Sequence, residues 1–298
     1  MTVTRAAMDN PLKGIEPAAL GDGAARLPLI ESLDPVEALD AAFALNPQLT
    51  TLVLEDAWRD RPHWQMLCEL FGAPRIPREG FYQYPWHWLH HDRPETRFDS
   101  ELGRAERPLN PEGRVYERFN LQLGRRFTLR TVELECDLER LVGWMNNPRV
   151  ARFWEQARPR EELAEWFTHR LAQPHRLGLI GEFDGEPFGY FELYWAAEDV
   201  IAPWYVWQGF DRGLHVLVGE EHFRGADFVT AWLSGLQHYA YLAEPRTGRL
   251  VLEPAASNER LFRHLERLGL FRQREFDLPD KRAALVMGWR PRFFSEVM

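Results

Sequence analysis

Leu214-His215-Val216-Leu217-Val218-Gly219-Glu220-Glu221-His222-Phe223-Arg224-Gly225 reads as a strand that enters a helix through a glycine-containing loop, the helix running from about Ala226 to Ala243. Such a junction leaves backbone N–H groups uncovered at the helix start, which suits a phosphate. Arg224 adds a positive charge at that point. Many strand–helix turns share this form, so the flanking elements must decide what it is.

Upstream, Phe127-Thr128-Leu129-Arg130-Thr131-Val132 alternates as a strand, and Asp137 is expected to cap a helix through Met145. Pro159 opens a second helix, with Leu163, Phe167 and Leu171 on one face. Arg176 to Phe183 and Phe188 to Tyr194 read as strands joined at Asp184-Gly185, a hairpin signal. Downstream follow a strand (Arg249 to Leu252), a helix (Asn258 to Leu268), and strands over about Phe271 to Phe276 and Ala283 to Gly288. The expected order is strand, two helices, three strands, helix, strand, helix, two strands. This is a mixed α/β (α+β) pattern.

The earlier part of the chain is less regular. Residues 1 to 35, rich in Pro, Gly and Ala, read as a loosely ordered leading segment. A helix is expected from Asp34-Pro35-Val36-Glu37 and a strand over Thr50 to Leu54. The charge and proline content from Arg93 to Glu117 predicts an exposed linker. The expected division is therefore an N-terminal extension or degenerate half-domain over 1–124 and a folded domain over 125–298.

Composition narrows the function. A net charge of -9 provides no basic field for a nucleic acid backbone. No apolar run approaches the ~18 residues of a membrane span, and the first residues lack the apolar core of a secretory signal, so a cytoplasmic protein is expected. Cys68 and Cys136 are too few for a disulfide framework or a zinc site. His87 and His91 could share a helical face near His90 and Asp92. Pro85 and the surrounding aromatics disfavour a regular helix there, and no third ligand is evident, so no metal is expected.

The element order and the loop together resemble the GNAT superfamily of acyl-CoA transferases. Arg224-Gly225-Ala226-Asp227-Phe228-Val229 keeps the arginine of that family's pyrophosphate loop, with Asp227 and Val229 where glycines usually lie. Leu265 stands where the family usually has a tyrosine acid. Trp144-Met145-Asn146-Asn147-Pro148, Phe153-Trp154, Gly189-Tyr190-Phe191-Glu192-Leu193-Tyr194-Trp195 and Asp211-Arg212-Gly213-Leu214-His215 give a narrower match. In that order they resemble the siderophore-biosynthesis acetyltransferases, which acylate side-chain hydroxylamines or amines. The resemblance covers residues 125–298 and continues through Arg263-His264-Leu265-Glu266-Arg267-Leu268-Gly269.

This resemblance implies a GNAT acyltransferase fold with acetyl-CoA as co-substrate and a small-molecule hydroxylamine or amine as acceptor. The implied reaction is acetyl transfer to the side-chain hydroxylamine of N(6)-hydroxylysine, giving a hydroxamate. It places a catalytic histidine at His215. A hydroxylamine is mostly neutral near pH 7, so a histidine with a pKa of about 6.5 suffices as base. Without the resemblance, His215 would read as a hydrogen-bonded core residue. Glu253 is the nearest carboxylate to the family's acidic position and is expected to partner His215, the alternative being a strand-end surface charge. Val216, Leu217 and Val218 are expected to pair with pantetheine, and Arg224, Gly225 and Ala226 to hold the pyrophosphate. Asn258 is expected to cap its helix or touch pantetheine. Glu192, Tyr194 and Asp199 are expected to hold the acceptor, with Trp144, Trp154, Trp195 and Trp204 walling the pocket. Hydroxyornithine, a hydroxylated diamine, lysine or another acyl donor stay open as alternatives. So does a non-catalytic module that binds acyl-CoA or a protein.

Overall fold

The computed structural model describes residues 15–93, 98–99 and 104–298, and these divide into two compact units that meet in sequence at His87 and Trp88. In the first unit, Gly21 and Gly23 adopt positive φ at the turn between β1 (Ala18–Gly21) and β2 (Ala24–Leu27). Helix α1 (Pro35–Leu45) starts as expected. Asp34 accepts from the N–H groups of Val36 and Glu37, the Glu37 side chain reaches back to the Asp34 N–H, and Pro35 occupies the first turn. Strand β3 (Thr51–Leu54), α2 (Trp64–Phe71), β4 (Arg75–Pro77) and α3 (Arg78–Tyr82) follow, and the sheet order is β1-β2-β3-β4. The described part of the supposedly loose leading segment thus holds a hairpin. Its β2 pairs in parallel with β3, a non-local contact that composition does not reveal.

The second unit contains a short pair, β5 (Phe98–Asp99) and β6 (Arg104–Ala105), and then the main sheet. Strands β7 (Arg114–Asn120) and β8 (Arg125–Thr131) lead into helices α4 (Leu134–Met145), α5 (Pro148–Trp154) and α6 (Arg160–Leu171). The hairpin β9 (Arg176–Phe183) and β10 (Glu186–Trp195) follows, then β11 (Arg212–Val218) and α7 (Ala226–Ala243). The chain continues through β12 (Arg249–Leu252), α8 (Glu259–Arg267), β13 (Leu270–Asp277), β14 (Arg282–Trp289) and α9 (Arg290–Glu296). The eight strands lie in the order β13-β14-β12-β11-β10-β9-β8-β7. Asp184 and Gly185 take positive φ at the β9–β10 turn, as the Asp-Gly signal requires.

Strand β10 is buried on both faces, and its alternation distributes the layers. Tyr190 packs with Leu141, Trp144, Phe167 and Ile180 beneath α4 and α6. Phe191 points the other way and stacks on Trp232 of α7, with centroids 5.2 Å apart. Helices therefore cover both faces of the sheet.

Four further sequence expectations change. The supposed linker ends in β7, whose Val115 and Tyr116 are buried while its charged residues suit a sheet edge. The expected boundary after residue 124 consequently falls in the turn of the β7–β8 hairpin. Helix α5 was not expected, although Asn147 caps it and Pro148 opens it. Asp137 does not cap α4. It lies inside the helix with no exposed side chain, accepting from the Glu133 N–H at 3.0 Å and from Arg130 at 2.7 and 2.8 Å. Arg130 also bonds Glu182, which ties α4 to β8 and β9.

Arg140 adds a second guanidinium at 3.1 Å, and a buried carboxylate with two arginine partners is costly to neutralise, because the guanidinium groups stay behind. Asp137→Asn should lower the unfolding free energy by roughly 3 kcal/mol, measured by urea titration. A loss within 0.5 kcal/mol, the usual range for a surface site, would show that this pair does not hold the helix to the sheet.

Candidate active site

Strands β11 and β12 form the one parallel pair among the named pairs of the main sheet, and it spans only Arg212–Leu250 and Gly213–Val251. Beyond Gly213 the two strands diverge, which opens a crevice toward their carboxyl ends. His215 sits on β11 just past the split, and Glu253 directly follows β12. Glu192 lies directly across from His215 on β10, and Tyr194 lies across from Gly213. A side chain at Gly213 would collide with the Tyr194 ring, so the absence of one lets that ring approach His215, with centroids 4.5 Å apart.

His215 is held from both sides. Its Nδ1 lies 2.7 Å from Glu192 Oε2 and its Nε2 lies 2.5 Å from Glu253 Oε1. Both contacts are hydrogen bonds only if both ring nitrogens carry a proton, so the geometry describes an imidazolium. Burial alone would lower its pKa, but the Glu253 charge and the bonds to Glu192 and Glu253 outweigh burial and push it up to about 9. The carboxylates are fixed in turn. Glu192 accepts from the Tyr190 hydroxyl at 2.6 Å and from Arg170, and Glu253 accepts from the Tyr194 hydroxyl at 2.7 Å. Burial would raise the Glu192 pKa, but its bonds to His215 and Arg170 hold it well below the usual carboxylate range. Glu253 is likewise lowered against burial, chiefly by the His215 charge. Asp199 pairs with Arg176 and lies 3.1 Å from His175 Nε2. Buried Glu192, Asp199 and Glu253 are thus matched by Arg170, Arg176 and protonated His215. About 18% of the His215 side chain remains exposed.

Two cavities meet here. The first, about 550 Å³, is lined by Trp154, Trp166, Arg170, Asp199, His215 and Glu253 among others. The second, about 230 Å³, runs beside Val216, Leu217 and Val218 to Arg224 and Gly225. Trp154, Val216 and Asn258 line both. Helix α5 reaches the free edge of β11: Trp154 Nε1 donates to the Val216 carbonyl at 3.3 Å, and Arg149 donates to those of Val218 and Gly219 at 2.9 and 2.8 Å. No side chain caps α7, whose N-terminus follows Gly225 at φ 129° and begins with Ala226. Asp227 lies in the first turn, where its charge favours the helix dipole.

The expected residues therefore separate into those that face the cavities and those behind them. Asn258 caps α8, accepting from the Leu261 N–H, while also facing the crevice. Glu192 and Tyr194 have no exposed surface and line neither cavity, so they hold His215 and Glu253 and do not meet an acceptor. Trp144 also leaves the pocket set. It belongs to the core beneath α4, and its indole donates to Glu220 at 2.8 Å. Trp195 is held between Arg107 and Arg212, each 4.0 Å from its ring, and Trp204 stacks on Phe276. Sequence reasoning missed Arg170, Arg176 and Trp166, whose pairing depends on how α6 and β9 pack. Among the described residues, no group of three or more His, Cys, Asp or Glu is placed to hold a metal.

Residues 133–278 match the family model of the acetyltransferase (GNAT) domain. The chain is 43% identical over 270 residues to N(6)-hydroxylysine O-acetyltransferase of Escherichia coli, covering 88% of this chain and 85% of that protein. A putative lysine N-acyltransferase of Schizosaccharomyces pombe is 36% identical over 231 residues, covering 76% and 69%. Aminoglycoside acetyltransferase AAC(6')-Ib, solved with coenzyme A, superposes with a TM-score of 0.51 at 25% identity, covering 56% of this chain and 96% of that one. By sequence and by fold, the chain belongs to the GNAT acetyltransferase family.

Proposed function

We propose that this protein transfers acetyl from acetyl-CoA to the side-chain hydroxylamine nitrogen of N(6)-hydroxylysine, forming a hydroxamate for siderophore assembly. The observation that carries the reading is His215, held between Glu192 and Glu253 where the two cavities meet. The substrate class follows the E. coli relative, whose name specifies hydroxylysine. A hydroxamate is a bidentate oxygen ligand of ferric iron, which fits that use.

Acetyl-CoA would lie along the free edge of β11, with its phosphates near Arg224, Gly225 and the uncapped N-terminus of α7. The Val216 carbonyl faces that edge, and in a strand the N–H of the same residue faces the same way. That N–H would donate to the thioester oxygen as negative charge develops on it. The hydroxylamine nitrogen attacks the carbonyl carbon, forming the C–N bond, and the C–S bond breaks. The nitrogen's proton passes to neutral His215 and ends on the departing sulfur. Leu265 has no exposed surface and cannot supply that proton. Glu253 and Glu192 orient the ring and stabilise its charge.

Offered N(6)-hydroxylysine, N(5)-hydroxyornithine and lysine, the enzyme should release CoA thiol fastest with hydroxylysine. The product should give the coloured ferric complex of a hydroxamate. An O-acetyl product that binds no iron would overturn nitrogen as the nucleophile.

The pH dependence has a definite sign. With a pKa of about 9, His215 is roughly one per cent neutral at pH 7. The base form grows about tenfold per pH unit up to that pKa. kcat/KM should therefore climb from pH 7 toward a break near 9, and His215→Gln should be at least about 100-fold slower with no such limb. A flat wild-type profile between pH 7 and 9.5 would remove His215 as the base.

Stability should move the opposite way. A histidine whose folded pKa is raised stabilises the fold fully below its unfolded pKa of about 6.5, and this is lost as pH rises through about 9. The wild-type advantage over His215→Gln, on the order of 3 kcal/mol at pH 6, should shrink by pH 9.5 in thermal melts. An advantage that does not change with pH would contradict the charged pairing.

A further inference from the structure

Four cationic side chains line the larger cavity, and three are committed. Arg170 is bonded to Glu192, Arg176 to Asp199, and His215 to both Glu192 and Glu253. The fourth, Lys281, sits in the turn between β13 and β14, closed by the Leu278 N–H to the Lys281 carbonyl at 2.8 Å. Its neighbour Arg282 is turned away onto Glu275 and Asp277 at 2.8 and 2.9 Å. Buried Leu278, in the core cluster with Tyr194 and Val251, anchors the turn. Among the described residues the Lys281 ammonium has no hydrogen bond or ion pair, yet its charge is felt at Glu253. An uncommitted ammonium at a cavity wall near the reacting pair is suited to an anionic group on the acceptor.

We infer that Lys281 binds the α-carboxylate of the acceptor and so selects an amino acid over a simple hydroxylated amine. This rests on the hydroxylysine reading of the same site. The side-chain hydroxylamine reaches His215 while the other end of the molecule lies toward the β13–β14 turn. Asp280 and Glu155, which also line the cavity, have the sign to receive the α-ammonium. The charges of Arg170 and Arg176 are already offset by buried Glu192 and Asp199, whereas that of Lys281 is not.

The test compares N(6)-hydroxylysine with its decarboxylated analogue, N-hydroxycadaverine, on the wild type, Lys281→Met and Lys281→Arg. Lys281→Met should raise KM for hydroxylysine about tenfold with little change in kcat. Its kcat/KM for the analogue should stay within about twofold, and Lys281→Arg should restore most of the hydroxylysine preference. A Lys281→Met enzyme that keeps the wild-type preference would overturn the inference. So would one that slows both acceptors alike, which would mean that Lys281 acts through Glu253. Absence of turnover on either acceptor by the wild type would overturn the acceptor reading itself, and this inference with it.

Discussion

The parallel pairing of β11 with β12 stops after two residue pairs, and the rest of the catalytic region depends on that early end. A complete pairing would have used the backbone of Val216 and Val218 inside the sheet. Instead their carbonyls face a crevice, where Trp154 and Arg149 of α5 cover them. The same divergence leaves room for His215 and Glu253 to meet from adjacent strands without being sealed in the core. Gly213, at the last paired position, allows Tyr194 to lie over the split and support both residues.

Burial of three carboxylates beside this crevice would be prohibitive if they stood alone. They are tolerated because each has a cationic partner and further hydrogen bonds. The arrangement also sets the chemistry. A histidine between two carboxylates is a stronger base than a free imidazole, but it spends most of its time protonated at neutral pH. Its reactivity is thus tied to the same interactions that hold it in place. The sequence-based expectation of an ordinary histidine near pH 6.5 underestimated this, because Glu192 was read as an acceptor ligand and not as a partner of the ring.

Much of the fold was legible because its signals are local. Helix α7 and strand β12 have the expected bounds, and the Asp184-Gly185 turn is where its backbone chemistry demands. The GNAT assignment, drawn from spaced segments in order, agrees with the family match over residues 133–278. What escaped local reading is non-local in origin. Strand β7 carries many charges because it is the last strand of the sheet, bridged on its outer side only by the short segment at Leu89, and those charges resemble a linker until β8 is placed beside it. Asp137 has the composition of a cap but is consumed by Arg130, seven residues away and on another element.

The sequence by itself determined the family, the position of His215 on a strand that leads into a helix, and the presence of a carboxylate at the end of the next strand. The family rests on the resemblance of spaced segments, and the two positions on periodicity and on residues close together in the chain. Only the tertiary structure decided which aromatic and acidic residues face the cavity. Trp144, Glu192 and Tyr194 belong to the same series of spaced segments as Trp154 and His215, yet packing turns the first three inward. It also brought Arg170, Arg176 and Lys281 to the site from three separate elements. Side-chain direction and charge pairing depend on neighbours distant in sequence, and those neighbours exist only once the sheet has formed.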